Sequence, residues 1–119
     1  MNQKPELFDV VELLSELPEY SLQIGNRGAI VHCHPDGEYE VEFANKDGET
    51  VALCSLSSEQ FHVVWRAKTK SWVPLPEQVT AVVTYLPERA EREILNFARY
   101  LLSQERATSG SVLTPASEV

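Results

Sequence analysis

The sequence has few of the residues on which several classes of protein depend. It contains two cysteines, Cys33 and Cys54, among 119 residues. We expect both to stay reduced, because the start, Met1 to Glu6, lacks the cationic and apolar leader of a secreted protein. No uncharged run approaches the roughly 20 apolar residues of a membrane-spanning helix. The composition therefore favours one cytoplasmic domain that does not enter a membrane.

Motifs that carry chemistry are missing as well. No Cys-x-x-Cys or His-x-x-x-His spacing occurs, and His32, Cys33 and His34 are consecutive. Neighbouring residues of a strand point to opposite faces, so these three side chains cannot meet at one metal ion. We expect buried cysteines and exposed histidines. The sequence predicts no metal site, no cofactor and no catalytic residue, and therefore not an enzyme.

Positive charge is scarce in the first half of the chain. The formal charge is −8 overall, which repels nucleic-acid phosphates. Residues 1–64 hold three bases against twelve acids, a net −9, whereas residues 65–106 hold seven bases against five acids, a net +2. This change of sign at about Trp65 indicates a boundary between two modules.

The first module has the alternation and turns of a small antiparallel sheet. Tyr39, Val41 and Phe43 alternate with glutamates, which predicts one buried face and one solvated face. Turns are expected at three glycine-containing segments: 25–28, 35–37 and 45–48. A single helical turn capped by a serine is expected at 57–60.

The beginning of this module fits two structures. Leu7, Val10 and Leu14 have helical spacing, but residues 8–13 also fit a strand, which we favour because a long loop, 14–24, then leads into the sheet. Five short strands, a long first loop and a helical turn before the last strand predict an SH3-like β-barrel over residues 5–64.

An ordered series of motifs in this module resembles a known family of small bacterial barrels. The segments are 7–14, 17–19, 25–31, 39–43 and 47–53. They are similar to the family catalogued as domain of unknown function 4926. The resemblance implies the barrel fold and no established activity.

The second module has a different period. A basic linker over 65–75 is followed by helical spacing, interrupted at Pro87, which predicts a helical hairpin over 76–106. Residues 107–119 are small and polar and predict a flexible tail. The fold class is thus β plus α: an SH3-like barrel, a C-terminal helical hairpin and a tail.

Residues 86–102 also resemble a second group. Their leucine-proline-glutamate start and leucine-phenylalanine stripe are similar to the helical motif of antitoxin-like proteins catalogued as domain of unknown function 2281. Those proteins place a DNA-binding element at the N-terminus, whereas this chain has an acidic barrel there. The resemblance implies an antitoxin-like helix that binds a partner protein.

Two surfaces are candidates for partner binding. Glu38, Glu40 and Glu42 form an acidic row that would steer a basic partner or would serve solubility alone. Phe97 and Leu101 lie on an apolar helix stripe that packs either on the barrel or on another chain.

The long first loop is a further candidate. It occupies the position of the peptide groove in SH3-type barrels, with Tyr39 or Trp65 as its floor. The chain has few aromatics for such a groove.

The sequence therefore predicts a non-enzymatic interaction protein, antitoxin-like or regulatory. Its partner would be a protein, such as a basic toxin-like protein encoded nearby, or a second copy of the chain. The alternative is a nucleic-acid-binding small barrel, because the segment from Arg66 to Arg106 is mildly basic.

Overall fold

The computed structural model describes residues 4–109, which form one sheet and two helices. The strands are β1 (Val10–Leu13), β2 (Arg27–Cys33), β3 (Glu38–Ala44), β4 (Thr50–Ser57), β5 (Phe61–Arg66) and β6 (Ser71–Trp72). The helices are α1 (Leu75–Val83) and α2 (Glu88–Ser109). The chain divides into two compact units, the first ending at Val82 and the second beginning at Val83.

All strand pairs are antiparallel, and the order across the sheet is β4-β3-β2-β1-β5-β6. Strand β1 lies between β2 and β5. The first and the last strand of the predicted five-stranded barrel, β1 and β5, are therefore neighbours in the sheet. A long loop joins β1 to β2, and a 3-10 turn over Ser58–Gln60 precedes β5. These connections confirm the predicted β plus α fold with an SH3-like barrel.

The core is built from the inward face of the sheet. Tyr39, Val41 and Phe43 are at most 5% exposed, which confirms the orientation predicted from their alternation. The ring of Tyr39 meets the edge of Phe61, with 5.6 Å between the ring centres. Burial of such apolar surface stabilises the fold by roughly 25 cal/mol per Å². The strand predicted at the start of the module is β1, and its Val11 and Leu13 belong to this core.

Gly28 lies inside β2 rather than in a turn, although the sequence indicated a turn over 25–28. A Cβ atom built on Gly28 would be 2.8 Å from the carbonyl oxygen of Glu42 and 2.9 Å from the ring of Phe43. This position therefore needs glycine because β3 passes close to its backbone. Gly25, with φ of 97°, takes the left-handed conformation that the turn requires.

The sheet continues through the segment that the sequence indicated as a linker, 65–75. Trp65 at the end of β5 pairs with Trp72 in β6, and Val73 packs against the core. A turn over 67–70 joins the two strands, and Lys70 in it has a φ of 53°. The two tryptophans thus extend the sheet by one short hairpin.

Two helices follow the sheet, close to the predicted positions. The first begins at Leu75 with Pro76 in its first turn, where a missing N–H costs nothing. The second extends past Arg106 to Ser109, into the predicted tail, and the rest of that tail, 110–119, lies outside the described residues. Two ion pairs four residues apart, Glu88 with Arg92 and Arg89 with Glu93, support α2. Among residues 4–109, no helix has the length and apolar character needed to cross a bilayer.

Candidate protein-interaction surfaces

The predicted acidic row lies on the outer face of β3. Glu38, Glu40 and Glu42 are each half-buried, while the residues between them are buried in the core. Their neighbours across the sheet are Ser57, Ser55 and Leu53 of β4. The row therefore faces outward as predicted, but its carboxylates lie close to the sheet surface rather than extending freely into solvent.

Each glutamate of the row has a polar partner on a neighbouring strand or turn. Glu38 accepts a hydrogen bond from the hydroxyl of Ser55 at 3.2 Å, and Glu42 accepts one from the hydroxyl of Thr50. Glu40 lies 2.9 Å from Nε2 of His34. A hydroxyl group donates a hydrogen bond without bringing a positive charge, so Glu38 and Glu42 have no ion-pair partner in these two contacts.

Apolar side chains accompany this acidic row. On β4, Val51 and Leu53 are 53% and 52% exposed, whereas Ala52, Cys54 and Leu56 are buried. This strand ends the sheet on one side, and Thr50–Ser57 contains no charged residue. The outer face of β3 and β4 therefore combines negative charge with an apolar edge.

The cysteines and histidines differ from the expected arrangement. Cys54 is buried as expected, but Cys33 is exposed because it is the last residue of β2. His62 is buried rather than exposed, since it lies in β5 beside β1. The rings of His32 and His34 are in contact, with 4.6 Å between their centres. Within residues 4–109, no three His, Cys, Asp or Glu side chains converge as metal ligands would.

Burial also governs the chemistry of Cys54. Desolvation raises the pKa of its thiol, and the nearby charges of Glu19 and Glu40 raise it further. A buried, protonated thiol is a poor nucleophile. Burial likewise raises the pKa of Tyr39.

A polar network that the sequence pattern does not indicate lies on the outer side of β1. Glu12 pairs with Nε of Arg27 at 3.0 Å and with Nε2 of His62 at 3.1 Å, which connects β2, β1 and β5. The guanidinium of Arg27 lies over the exposed ring of Trp72, 5.4 Å from the ring centre. Nδ1 of His62 is buried without a hydrogen-bond partner among the described residues. The strand register brings these residues together, and no short sequence motif indicates this network.

Tyr39 cannot form the floor of the peptide groove predicted at the long loop, because it is buried in the core. Trp65, the other candidate floor, is half-buried in β5. The loop folds back on itself through a bridge between Leu17 and Leu22, both buried. Tyr20 is 42% exposed at its 3-10 turn. The loop thus uses its leucines to close the core.

The predicted helix stripe is exposed. Phe97 is 58% and Leu101 is 46% exposed, and Phe97 stacks on Tyr100 with 6.2 Å between the rings. From Glu88 to Thr108, every side chain is exposed except that of Ala90, which is half-buried. Within α2 itself, the neighbouring side chains leave this stripe exposed.

The fold and these surfaces define an SH3-like barrel that carries an amphipathic helix with an open apolar side. Residues 7–63 match the model of a family described as Domain of unknown function (DUF4926). This match confirms the resemblance of the barrel stated from the sequence. No curated protein and no solved structure matches the chain. The resemblance of residues 86–102 to antitoxin-like helices stays a prediction, because the matched range ends before them.

Proposed function

We propose that the chain is a non-enzymatic protein-interaction module, antitoxin-like or regulatory, that binds a partner protein through α2 and is steered to it by the acidic barrel. The observation that carries the proposal is the exposed stripe of α2, which includes Phe97 and Leu101. A helix with an apolar stripe gains stability by burying it, and contiguous exposed apolar surface is typical of interaction sites.

The acidic row supplies the second part of the proposal. Glu38 and Glu42 have uncharged hydroxyl partners, and Val51 and Leu53 add apolar surface beside them. Charge of one sign on an exposed face raises the rate at which an oppositely charged protein arrives, more than it raises the affinity. A basic partner, such as a toxin-like protein encoded nearby, fits this face. The free thiols of Cys33 and Cys54 suit the reducing cytoplasm.

Co-expression with the products of neighbouring genes, followed by size-exclusion chromatography with light scattering, tests the proposal. We expect the full chain to form a stable complex with one of these products. Phe97→Ser with Leu101→Ser should abolish the complex, whereas Arg99→Ser, on the polar side of the same helix, should preserve it. Glu38→Gln, Glu40→Gln and Glu42→Gln together should slow association.

Two outcomes would overturn the proposal. One is a chain that stays monomeric and retains no neighbouring product. The other is a complex that survives the Phe97 and Leu101 substitutions with unchanged affinity, because binding would then use a different surface.

A further inference from the structure

The charges around the apolar stripe of α2 are distributed unevenly. Ile94 and Leu101 lie near the middle of the stripe, and each residue of an α-helix is rotated by about 100° from the one before it. Glu105, Glu91 and Glu93 then lie within about 100° of that middle. The four arginines all lie more than about 110° away, on the back of the helix; they are Arg89, Arg92, Arg99 and Arg106.

Ion pairing within the helix sharpens this difference. Glu88 pairs with Arg92, and Arg89 pairs with Glu93. Among residues 4–109, Glu91 and Glu105 have no ion pair with any base, and both are exposed. The carboxylates closest to the stripe are therefore the ones whose charge is not compensated.

This arrangement disfavours a second copy of the chain as the occupant of the stripe. Two stripes facing each other would bring the acidic borders of both helices into the same interface. Glu91 of one copy would approach Glu105 of the other in an antiparallel pair. Like charges at the border of an apolar contact are a common device against the wrong partner.

We propose that the stripe of α2 binds an apolar groove or helix of a different protein whose border carries lysine and arginine. This inference rests on the proposed function and specifies the chemistry of the partner. The apolar residues supply the contact, and Glu91 and Glu105 pair with the basic border.

Two synthetic helical peptides with the same leucine and isoleucine seam, one flanked by lysine and one by glutamate, are suitable probes. We expect the full chain to bind the lysine-flanked peptide at least about tenfold more tightly at low salt, with the difference shrinking at high salt. Fluorescence anisotropy measures both affinities. Phe97→Ser with Leu101→Ser should prevent binding of either peptide.

The barrel is acidic too, so variants must locate the preference on α2. Glu91→Gln with Glu105→Gln should remove most of the difference between the peptides. Glu88→Gln, which removes one carboxylate on the back of the same helix, should leave the difference in place, whereas Glu91→Gln alone should already reduce it. Circular dichroism verifies that each variant keeps its helix.

The inference and the proposed function fail in different ways. An unchanged preference in the Glu91 and Glu105 variant, a preference for the glutamate-flanked peptide, or a dimer of the chain that Phe97→Ser dissociates would overturn the inference alone. A neighbouring gene product that still requires Phe97 and Leu101 would then leave the proposed function standing.

Discussion

Asp9 is the residue on which the closure of the barrel depends most directly. Its carboxylate is 1% exposed, and its two oxygens accept the backbone N–H groups of Glu6 and Ala67, each at 2.9 Å. Arg66 lies 3.5 Å from Oδ2 and compensates the charge. One side chain thus joins the segment before β1 to the turn after β5.

Replacing Asp9 should destabilise the barrel. Asp9→Ala leaves two backbone donors and the guanidinium of Arg66 without their acceptor, so we expect a loss of about 2–4 kcal/mol in the free energy of unfolding. Urea unfolding followed by tryptophan fluorescence measures it. Asp47→Ala, which removes an exposed carboxylate in a turn, is the control and should change the free energy by less than about 0.5 kcal/mol. Equal effects of the two substitutions would refute this role of Asp9.

Gly28 provides a test of close packing between strands. Gly28→Ala would place a methyl group against the backbone of Glu42 and the ring of Phe43, and we expect it to cost about 1–3 kcal/mol. Gly48→Ala, at a φ of 82° with nothing within 4 Å, should cost about 1 kcal/mol from backbone strain alone. Gly48→Asn should recover part of that loss, since asparagine tolerates this conformation, whereas Gly28→Asn should be worse than Gly28→Ala. The midpoints of urea unfolding compare the four variants.

The buried thiol of Cys54 and phenol of Tyr39 make the stability of the barrel sensitive to alkaline pH. Burial raises both pKa values above the ordinary 9.0 and 10.0, so the folded chain keeps protons that the unfolded chain releases. The stabilisation that these two protonated groups contribute to the folded state is complete below pH 9.0. It is lost as pH rises through their folded-state pKa values. We expect the urea midpoint to fall as pH rises from about 9 to 11, and to fall less in Cys54→Ala with Tyr39→Phe. A slope that these substitutions do not change would contradict the assignment.

Single residues also show which side-chain environments can be predicted from the sequence and which cannot. The inward orientation of Tyr39, Val41 and Phe43 follows from strict alternation, which is a local property. The exposure of Cys33 and the burial of His62 depend on where a strand ends and which strand lies beside it. Those are consequences of register, and register is set by contacts between residues far apart in the chain.

Among the secondary-structure elements, β4 shows most clearly how one strand can serve both the core and a surface. Leu53 and Leu56 are three residues apart, yet they are 52% and 2% exposed. Chemically identical substitutions at these two positions therefore separate the two roles of the strand.

Leu56→Ala should cost about 2–5 kcal/mol in unfolding free energy, because it leaves a cavity in the core. Leu53→Ala should cost less than about 1 kcal/mol, because half of that side chain is already in water. Denaturant unfolding of both variants measures the difference. Equal losses would mean that Leu53 is covered in solution.

Other secondary-structure elements show which parts of the fold can be predicted from local sequence patterns. The alternation that predicts β3 and the apolar period that predicts α2 are both local. Strand β6 has only two residues, which are too few to show a periodic pattern. It forms because the chain turns back and brings Trp72 beside Trp65. The continuation of α2 to Ser109 was missed for a related reason: small polar residues there are compatible with either a tail or a last helical turn.

Across the whole molecule, negative charge bears on the class of partner that we propose. The formal charge is −8, and the acids are concentrated in residues 1–64, which contain nearly all of the barrel. Such a field repels phosphate backbones and attracts basic proteins. The charge is therefore consistent with the basic partner that we propose for the candidate surfaces.

The alternative, a nucleic-acid-binding barrel, makes a different prediction at this scale. We expect fluorescently labelled single-stranded RNA and double-stranded DNA to show no change in anisotropy with the full chain at about 100 mM salt. We expect the mildly basic segment from Arg66 to Arg106 not to offset the negative charge of the barrel. A well-characterised basic RNA-binding domain, measured with the same labelled nucleic acids, is the positive control for the change in anisotropy. A shift that weakens steeply with added salt would instead support the alternative.

The uncharged edge strand β4 should make this protein prone to self-association. An edge strand without charged side chains can pair with the same strand of another molecule, and Thr50–Ser57 carries no lysine that would oppose such pairing. We expect the net charge of −8 to keep the molecules apart. Near the isoelectric point of about 4.8 that repulsion disappears. Fibril growth should then begin at β4, and mutations that neutralise barrel acids should be tolerated less well than the fold alone would require.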